Sequence, residues 1–145
     1  PPVGAGNVLR DIIASEVMIT GEGNFSLIRT RSVETWQGLG FLPAGVVVDQ
    51  HFIKRQRENR LISLILENPG LLGVGVDEET AIWVRPDGTF QVLGRSGVMV
   101  IDASGARVSR QPQETGQDLL GVHALNLHLL LPGETYDLPS RRPLP

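Results

Sequence analysis

The chain has 145 residues, about the length of one domain, of which 41% are hydrophobic and 20% charged, as in ordinary globular proteins. Its formal net charge of −3 and its lack of long Lys or Arg runs argue against nucleic acid or an anionic membrane as partner, and no apolar stretch reaches the roughly 18–20 residues of a membrane span. The chain contains no cysteine, which excludes disulfides and thiolate metal sites and leaves the redox compartment open, with the cytoplasm favoured.

The first half of the chain alternates helical and extended patterns. Apolar residues at helical spacing predict a helix over about 8–18. A run of valines predicts a short strand over 45–49, and a second apolar run predicts another at 71–76. Between them, a helical pattern over 52–66 ends at Asn68-Pro-Gly70, because proline cannot continue a helix and glycine accepts a positive φ. This order of elements is typical of an α/β protein.

The second half of the chain reads as short strands. Two alternating runs around Pro86-Asp-Gly88 predict a β-hairpin over 81–93. Further strands are expected over 98–101, near Val108 and over 123–131. The last residues, 138–145, are polar and rich in proline, which predicts an irregular end. This half therefore reads as antiparallel β structure.

We interpret the chain as a single domain with an α/β part over 1–79 and an antiparallel β part over 80–145. Two parallel strands do not form a stable sheet with helices on both faces, so part of the sheet is expected to come from elsewhere. An unpaired edge on the strand 45–49 favours association, and we expect a partner, either a second chain or a homodimer. The start at Pro1, without an initiator methionine, fits a processed product or a fragment.

The most informative segment is Gly45-Val-Val-Val-Asp-Gln-His-Phe52. A strand buried on both faces is expected to exclude polar side chains, which predicts that Asp49, Gln50 and His51 follow its end. Ligands of α/β proteins lie in the crevice beyond the carboxyl ends of parallel strands, so an imidazole flanked by a carboxylate and an amide is a candidate catalytic cluster. The alternative is a helix N-terminus capped by Asp49, with His51 on the surface.

Two groups of charged residues have alternative interpretations. The acidic trio Asp77-Glu78-Glu79 follows the second predicted strand, as either a solvated loop or a cation site. Arg55, Arg57 and Arg60 lie near one another on the predicted helix. They form either a solvated helix face or a surface that binds a substrate carboxylate.

Several segments, in the same order, resemble the cyanophycinases of the S51 family of serine peptidases. The match runs from about residue 15 to the C-terminus. It consists of Gly38-Leu-Gly-Phe-Leu-Pro43, Val46-Val-Val-Asp-Gln-His-Phe52, Arg55-Gln-Arg-Glu-Asn-Arg-Leu61, Asn68-Pro-Gly-Leu-Leu-Gly-Val-Gly-Val-Asp-Glu-Glu-Thr-Ala81 and Arg141-Arg-Pro-Leu144. Several motifs in one order make the resemblance specific for this family.

The resemblance implies the C-terminal part of an α/β, flavodoxin-like sheet fold related to class I glutamine amidotransferases, together with a Ser-His-Glu catalytic triad. By motif position it implies that His51 is the catalytic histidine and Glu78 the catalytic glutamate. It also implies that Asp49, Gln50 and Arg55 line the substrate pocket. Asp49 would suit a guanidinium and Arg55 a carboxylate. Cyanophycinases release β-aspartyl-arginine dipeptides from cyanophycin, a polyaspartate carrying arginine on its side chains.

The position of the nucleophile departs from the family pattern. The family motif Gly-Thr-Ser-Ala-Gly falls, without gaps, on Gly6-Asn-Val-Leu-Arg10, so that Val8 stands where the serine is expected. Three explanations remain open. A partner chain supplies the N-terminal strands and the serine; or the chain is a degenerate, non-catalytic subunit; or residues 1–14 are not contiguous with the native turn that bears the serine.

We therefore predict the His/Glu-bearing part of a serine-type peptidase that hydrolyses β-aspartyl-arginine or related isopeptide bonds. Its nucleophile would come from a segment or chain outside these 145 residues. The alternative is a non-catalytic subunit that binds β-aspartyl or arginine ligands. A peptide-like substrate is expected, whereas a metal, a cofactor, nucleic acid and a membrane are not.

Overall fold

The computed structural model describes residues 7–9, 27–33, 35–37 and 41–145. These residues form one helix, α1 (Glu58–Glu67), and no helix among them is long and apolar enough to cross a membrane. The strands are β1 Asn7–Leu9, β2 Thr35–Gln37, β3 Val46–Gln50, β4 Leu72–Val76, β5 Thr80–Val84, β6 Thr89–Gly94, β7 Val98–Asp102, β8 Arg107–Gln111, β9 Leu119–His123, β10 Asn126–Leu130, β11 Thr135–Asp137 and β12 Arg142–Leu144. This part of the chain is mainly β-sheet, and it is compatible with the predicted α/β class.

The largest sheet has six strands in the order β10-β7-β4-β3-β1-β2. Strands β1, β3 and β4 run parallel to one another, whereas β2, β7 and β10 pair antiparallel with their neighbours. The two predicted parallel strands are confirmed as β3 and β4, which pair from Val46↔Leu72 to Gln50↔Val76. Two strands from the second half of the chain, β7 and β10, extend this same sheet.

The predicted β-hairpin is confirmed as β5 and β6, which lie at one edge of a second sheet of order β12-β11-β6-β5. The N–H of Arg85 donates to the C=O of Thr89 at 2.8 Å and closes the turn. Gly88 in this turn has φ +84°, a conformation that only glycine adopts without strain. Strands β8 and β9 pair with each other as a separate ribbon.

Both faces of the six-stranded sheet are buried, each against different elements. One face packs against the second sheet through Val48, Val74, Val100, Phe90, Val92 and Tyr136. The opposite face packs against α1 and the ribbon through Val47, Ile101, Phe52, Leu61, Ile65 and Leu120. Because successive strand residues point to opposite faces, the uninterrupted valine run of β3 fills both layers. This packing fixes the ends of β3 and β4 at one edge of the sheet.

The prediction that Asp49 and Gln50 follow the strand is wrong, because β3 extends through Gln50 and both side chains are buried. The Asp49 carboxylate and the backbone C=O of Gln50 have partners inside the core. Arg60 donates to both carboxylate oxygens of Asp49, its Nε to Oδ2 at 2.8 Å. Arg57 Nη1 donates to the C=O of Gln50 at 2.6 Å. A strand tolerates buried polar residues when such partners are present.

The helix predicted over 52–66 begins only at Glu58. Residues 51–56 form turns instead, with the left-handed φ of +52° at both His51 and Gln56. The N–H of Phe52 donates back to the C=O of Val76 at 3.3 Å, which continues the pairing with β4 past the end of the strand. The alternative of a helix capped by Asp49 is therefore wrong as well.

Three other predicted elements differ from the structure. Val8 and Leu9 lie in β1, because pairing with β3 overrides the helical spacing, and the rest of the helix predicted over 8–18 lies outside the described residues. The single strand predicted over 123–131 is divided by Ala124, whose φ is +60°. The predicted irregular tail contains β12, which pairs with β11.

Gly75 in β4 allows the buried ring of Phe52 to lie directly on the sheet. A Cβ atom at Gly75 would come within 2.3 Å of the Phe52 ring, so the ring or the strand would have to move. We expect Gly75→Ala to lower the free energy of unfolding by about 1–3 kcal/mol through overpacking, measured by chemical denaturation. Gly105→Ala is the matched control, since no neighbouring atom lies within 4 Å of its added Cβ. Equal denaturation midpoints for the two variants would contradict this account.

Candidate active site

His51 is the first residue beyond β3, and its backbone has the left-handed φ of +52°. A residue other than glycine keeps such a conformation only where its surroundings impose it. Here the next residue, Phe52, is fully buried and anchors the turn. The imidazole itself stays 37% exposed, so it is held in place yet accessible.

Glu78 follows the end of β4 and contacts the imidazole. Its Oε1 lies 3.2 Å from His51 Nδ1. The two residues meet, although they are far apart in sequence, because parallel pairing brings the ends of β3 and β4 to the same edge of the sheet. When Nδ1–H donates to the carboxylate, Nε2 has the lone pair and can accept a proton. The geometry therefore suits a general base oriented by an acid.

Two cationic side chains share the Glu78 carboxylate with His51. Lys54 Nζ lies 2.7 Å from Oε2, and Arg55 Nε lies 3.4 Å from Oε1. The hydrogen bond from Lys54, and then those from His51 and Arg55, lower the pKa of Glu78. The same contact raises the pKa of Lys54. Both shifts keep the pair charged near neutral pH, so Glu78 can stabilise a positive charge on the imidazole.

Asp77 fixes the loop that bears Glu78. Its Oδ1 accepts the N–H of Lys54 at 2.9 Å, and its Oδ2 accepts the Ser96 hydroxyl at 2.5 Å. Burial alone would raise the pKa of Asp77, but these hydrogen bonds outweigh it and lower the pKa. The acidic trio is thus a hydrogen-bonded loop. Within the described ranges, no three His, Asp or Glu side chains are grouped so that they could hold a metal ion.

A pocket of about 310 Å³ opens beside the His–Glu pair. Its walls include Gln50, His51, Glu78, Glu79, Thr80 and Ile82. One wall is thus the edge where β3 and β4 end, and another is the start of β5. The pocket gives the imidazole a space in which a small substrate group could bind.

The structure brings only some of the predicted substrate ligands to this pocket. Gln50 lines it, and Arg55 lies at the Glu78 carboxylate. Asp49 does not line it, and its carboxylate binds Arg60 of the same chain. The three arginines expected either on a solvated helix face or at a substrate carboxylate differ in burial. Arg57 and Arg60 are buried against β3, and of the three only Arg55 is exposed.

Sequence reasoning missed the roles of Lys54 and Arg60. Lys54 is the single lysine of the chain and lies between His51 and Arg55, which places it on the turn that faces Glu78. Arg60 lies one position before Leu61, on the helix face that packs on the sheet. The sequence signal for Lys54 is its position three residues after His51, and the signal for Arg60 is its position next to the buried Leu61.

The predicted position of the nucleophile lies in β1. Val8 pairs with Val48 of β3, so the strand that bears Val8 is the direct neighbour of the strand that ends just before His51. Valine itself has no nucleophilic group.

Comparison with known proteins gives a consistent set of relatives, although no family model matches the chain. The chain is 36% identical over 141 residues to the cyanophycinases of Trichormus variabilis and a Nostoc species, which covers 97% of the chain and 47% of each relative. It is 38% identical over 130 residues to the cyanophycinase of Synechococcus elongatus, covering 90% of the chain and 40% of the relative.

These similarities confirm the resemblance that the motifs indicate: the chain is cyanophycinase-like over nearly all of its length. The cyanophycinase of Geminocystis herdmanii extends the set at 32% identity over 88% of the chain. The chain spans slightly less than half the length of these relatives, between 40% and 47%. The similarity therefore covers a part of each relative and nearly the whole of this chain.

Proposed function

We propose that this chain is the C-terminal, His/Glu-bearing part of a serine-type peptidase of the S51 family that cleaves β-aspartyl-arginine or related isopeptide bonds. The observation that supports this most directly is the 3.2 Å contact between His51 Nδ1 and Glu78 Oε1 at the edge of a pocket. The similarity to cyanophycinases supports the same reaction class. The six-stranded sheet would then be part of a flavodoxin-like sheet related to class I glutamine amidotransferases.

In the proposed reaction, His51 Nε2 takes the proton of a serine hydroxyl as the oxygen attacks the scissile carbonyl carbon. The imidazolium returns that proton to the leaving amine when the C–N bond breaks, which leaves an acyl-enzyme. Water then attacks the ester, again with His51 as base, and releases the product acid and the serine. Glu78 keeps the imidazole in the correct tautomer and stabilises its positive charge in both steps.

The serine is proposed to come from a segment outside these 145 residues. Strand β3 pairs with β1 on one side and with β4 on the other, so the unpaired edge expected on the strand 45–49 is wrong. Because Val8 occupies the expected position in β1, a segment or chain that supplied the serine would have to take the place of β1. The assembled protein, meaning this chain together with that segment, would be the active unit. A second copy of the chain is the other proposed partner.

For the substrate, the proposal retains two of the three predicted ligands. Gln50 lines the pocket and can bind an amide, and Arg55 lies close enough to the Glu78 carboxylate to approach a substrate carboxylate beside it. Asp49 is proposed to act indirectly, by holding α1 and the end of β3 together through Arg60. It would not touch the substrate.

The second candidate function is a non-catalytic subunit that binds β-aspartyl or arginine ligands. It is favoured by one observation, the valine at the position expected for the serine. The two functions share the pocket and differ only in turnover.

The deciding experiment incubates the assembled protein with cyanophycin and follows two products by mass spectrometry. Cleavage of the backbone amides releases the β-aspartyl-arginine dipeptide, and cleavage of the isopeptide bonds releases free arginine. The peptidase releases one of these products, whereas the binding subunit binds the dipeptide saturably and leaves the polymer intact. Absence of both release and binding would exclude both functions.

The proposed partner gives a separate prediction. In native mass spectrometry of material from its natural source, we expect this chain in a complex with a second polypeptide that bears a Gly-x-Ser-x-Gly turn, or as part of a longer chain with that turn. A homodimer without such a turn would favour the binding subunit. A stable monomer of this chain alone, active in the assay above, would contradict the proposed origin of the serine.

A further inference from the structure

Strand β5 has an open edge beside the pocket. It is the last strand of its sheet, and no other strand among the described residues pairs with its outer side. The N–H of Arg85 donates to Thr89, so the backbone of residue 85 faces β6. In an antiparallel strand, the backbone N–H and C=O groups of successive residues point alternately to one side of the strand and to the other. The backbone groups of Trp83, two residues before Arg85, therefore also point to β6. The N–H and C=O groups of Ile82 and Val84 therefore point to the open edge.

This edge is continuous with the candidate active site. β5 begins at Thr80, two residues after Glu78, and Thr80, Ala81 and Ile82 line the same pocket as His51. From there the strand leads away from the imidazole. An extended chain with one residue at His51 could therefore continue along the backbone N–H and C=O groups of Ile82 and Val84, which pair with no strand in the described part of the chain.

The outer face of the hairpin presents an apolar surface along this path. Trp83 is 55% exposed, and Leu93 on the neighbouring strand is 44% exposed. The guanidinium of Arg85 lies 5.0 Å from the centre of the Trp83 ring, and Arg85 Nη2 donates to Gln91 Oε1 at 3.1 Å. The indole is thus held in one orientation while a large part of it remains accessible. Exposed, oriented aromatic residues are typical of binding surfaces.

The charges along the edge also suit a zwitterionic polymer. Glu79, just before β5, has an exposed side chain, and Arg85, just after β5, provides a cation at the other end. A chain bearing both carboxylates and guanidinium groups meets an opposite charge at each end.

We propose that the open edge of β5, with Trp83 on its outer face, binds the backbone of an extended peptide-like substrate next to the bond that is cleaved. The edge adds the substrate as a further strand, with hydrogen bonds to Ile82 and Val84. The inference rests on the proposed function, since it places the polymer relative to His51. It predicts that affinity depends on substrate length.

The first test compares two substrates of the assembled protein. One is a minimal substrate of two linked β-aspartyl-arginine units, and the other is an oligomer of about eight backbone residues, long enough to follow the whole of β5. Trp83→Ala is expected to raise KM for the oligomer about tenfold, as when an ordinary interfacial aromatic contact is lost. KM for the minimal substrate, and kcat for both, are expected to stay at wild-type values.

Two variants control for the loss of an apolar side chain. Leu129→Ala removes a comparably exposed leucine on β10, at an edge of the other sheet, and is expected to leave all constants unchanged. Trp83→Phe keeps an aromatic ring and is expected to restore most of the affinity. An equal rise in KM for both substrates in Trp83→Ala would overturn the proposal, because the residue would then act in the pocket or on folding.

The second test needs no variant of β5. Hydrogen exchange at residue level is measured on the assembled wild-type protein with and without excess oligomer. The amides of Ile82 and Val84 are expected to slow on binding, whereas those of Ala81 and Trp83, already bonded to β6, are expected to change little. Unchanged exchange at Ile82 and Val84 under saturating oligomer would overturn the proposal.

The outcomes separate this inference from the proposed function. Cleavage of the minimal substrate without length dependence and without protection of β5 would leave the peptidase intact and remove only the edge site. Protection of β5 without turnover would support the edge site in a binding subunit. Neither turnover nor protection would overturn both.

Discussion

His51→Ala is expected to lower kcat for release of β-aspartyl-arginine by the assembled protein by about 10⁴-fold or more. Among the described residues that line the pocket, only His51 contacts a carboxylate through one ring nitrogen and keeps a second nitrogen for proton transfer. Without it, the serine hydroxyl has no base and the leaving amine no acid. The measurement is single-turnover kinetics, which separates chemistry from product release.

Glu78→Gln tests whether Glu78 orients the imidazole of His51, because the glutamine side chain has nearly the same shape as that of glutamate. The amide cannot supply the negative charge that stabilises the imidazolium, and it can offer an N–H to Nδ1, which favours the wrong tautomer. We expect kcat to fall by up to about 10⁴-fold, with little change in KM. Lys54 and Arg55 lose an anionic partner in this variant, so the assay is accompanied by a denaturation curve that detects any loss of folding.

His123→Ala is the control for removal of an imidazole, since His123 is exposed at the end of β9 and does not line the pocket. It is expected to keep wild-type kcat. If His51→Ala retained activity within about tenfold of the wild type, the proton transfers would have to be assigned to another group. The proposed triad would then be rejected even if the protein cleaved cyanophycin.

The parallel strands and the hairpin could be predicted because their signals are local. Consecutive β-branched residues at Val46, Val47 and Val48 suit a strand buried on both faces, and Pro86-Asp-Gly88 suits a tight turn. The approach of His51 and Glu78 required one further step, namely that parallel strands end at the same edge of a sheet. Their assignment as base and acid came from the family resemblance, since spacing alone does not distinguish a triad from a surface ion pair.

The errors arose where distant residues decide the local structure. Asp49 and Gln50 were predicted to lie outside the strand because a buried carboxylate without a partner is costly. The partner is Arg60, eleven residues later and on a different element. The participation of β7 and β10 in the main sheet likewise depends on pairing between the two halves of the chain, which no local pattern reveals.

Asp49→Ala is expected to lower the free energy of unfolding by about 3–5 kcal/mol, the usual cost of breaking a buried ion pair by removing one partner. Asp49 is fully buried, Arg60 is almost so, and the guanidinium donates to both carboxylate oxygens. Arg57 adds a second positive charge 4.0 Å from the same carboxylate. The substitution therefore removes the anion that offsets two buried cations. The measurement is equilibrium denaturation of the purified protein.

Two comparisons show whether burial of charge is the cause. Arg95→Ala removes one partner of the exposed pair with Glu79 and is expected to change stability little, because solvent screens such pairs. The double variant Asp49→Val with Arg60→Met replaces the buried pair by apolar groups and is expected to recover part of the loss, because Arg57 remains buried without the Asp49 anion. If the double variant were as unstable as the sum of its single variants, the two side chains would contribute independently. In that case α1 would be held against β3 by its apolar face alone, and Asp49 would have no indirect role at the pocket.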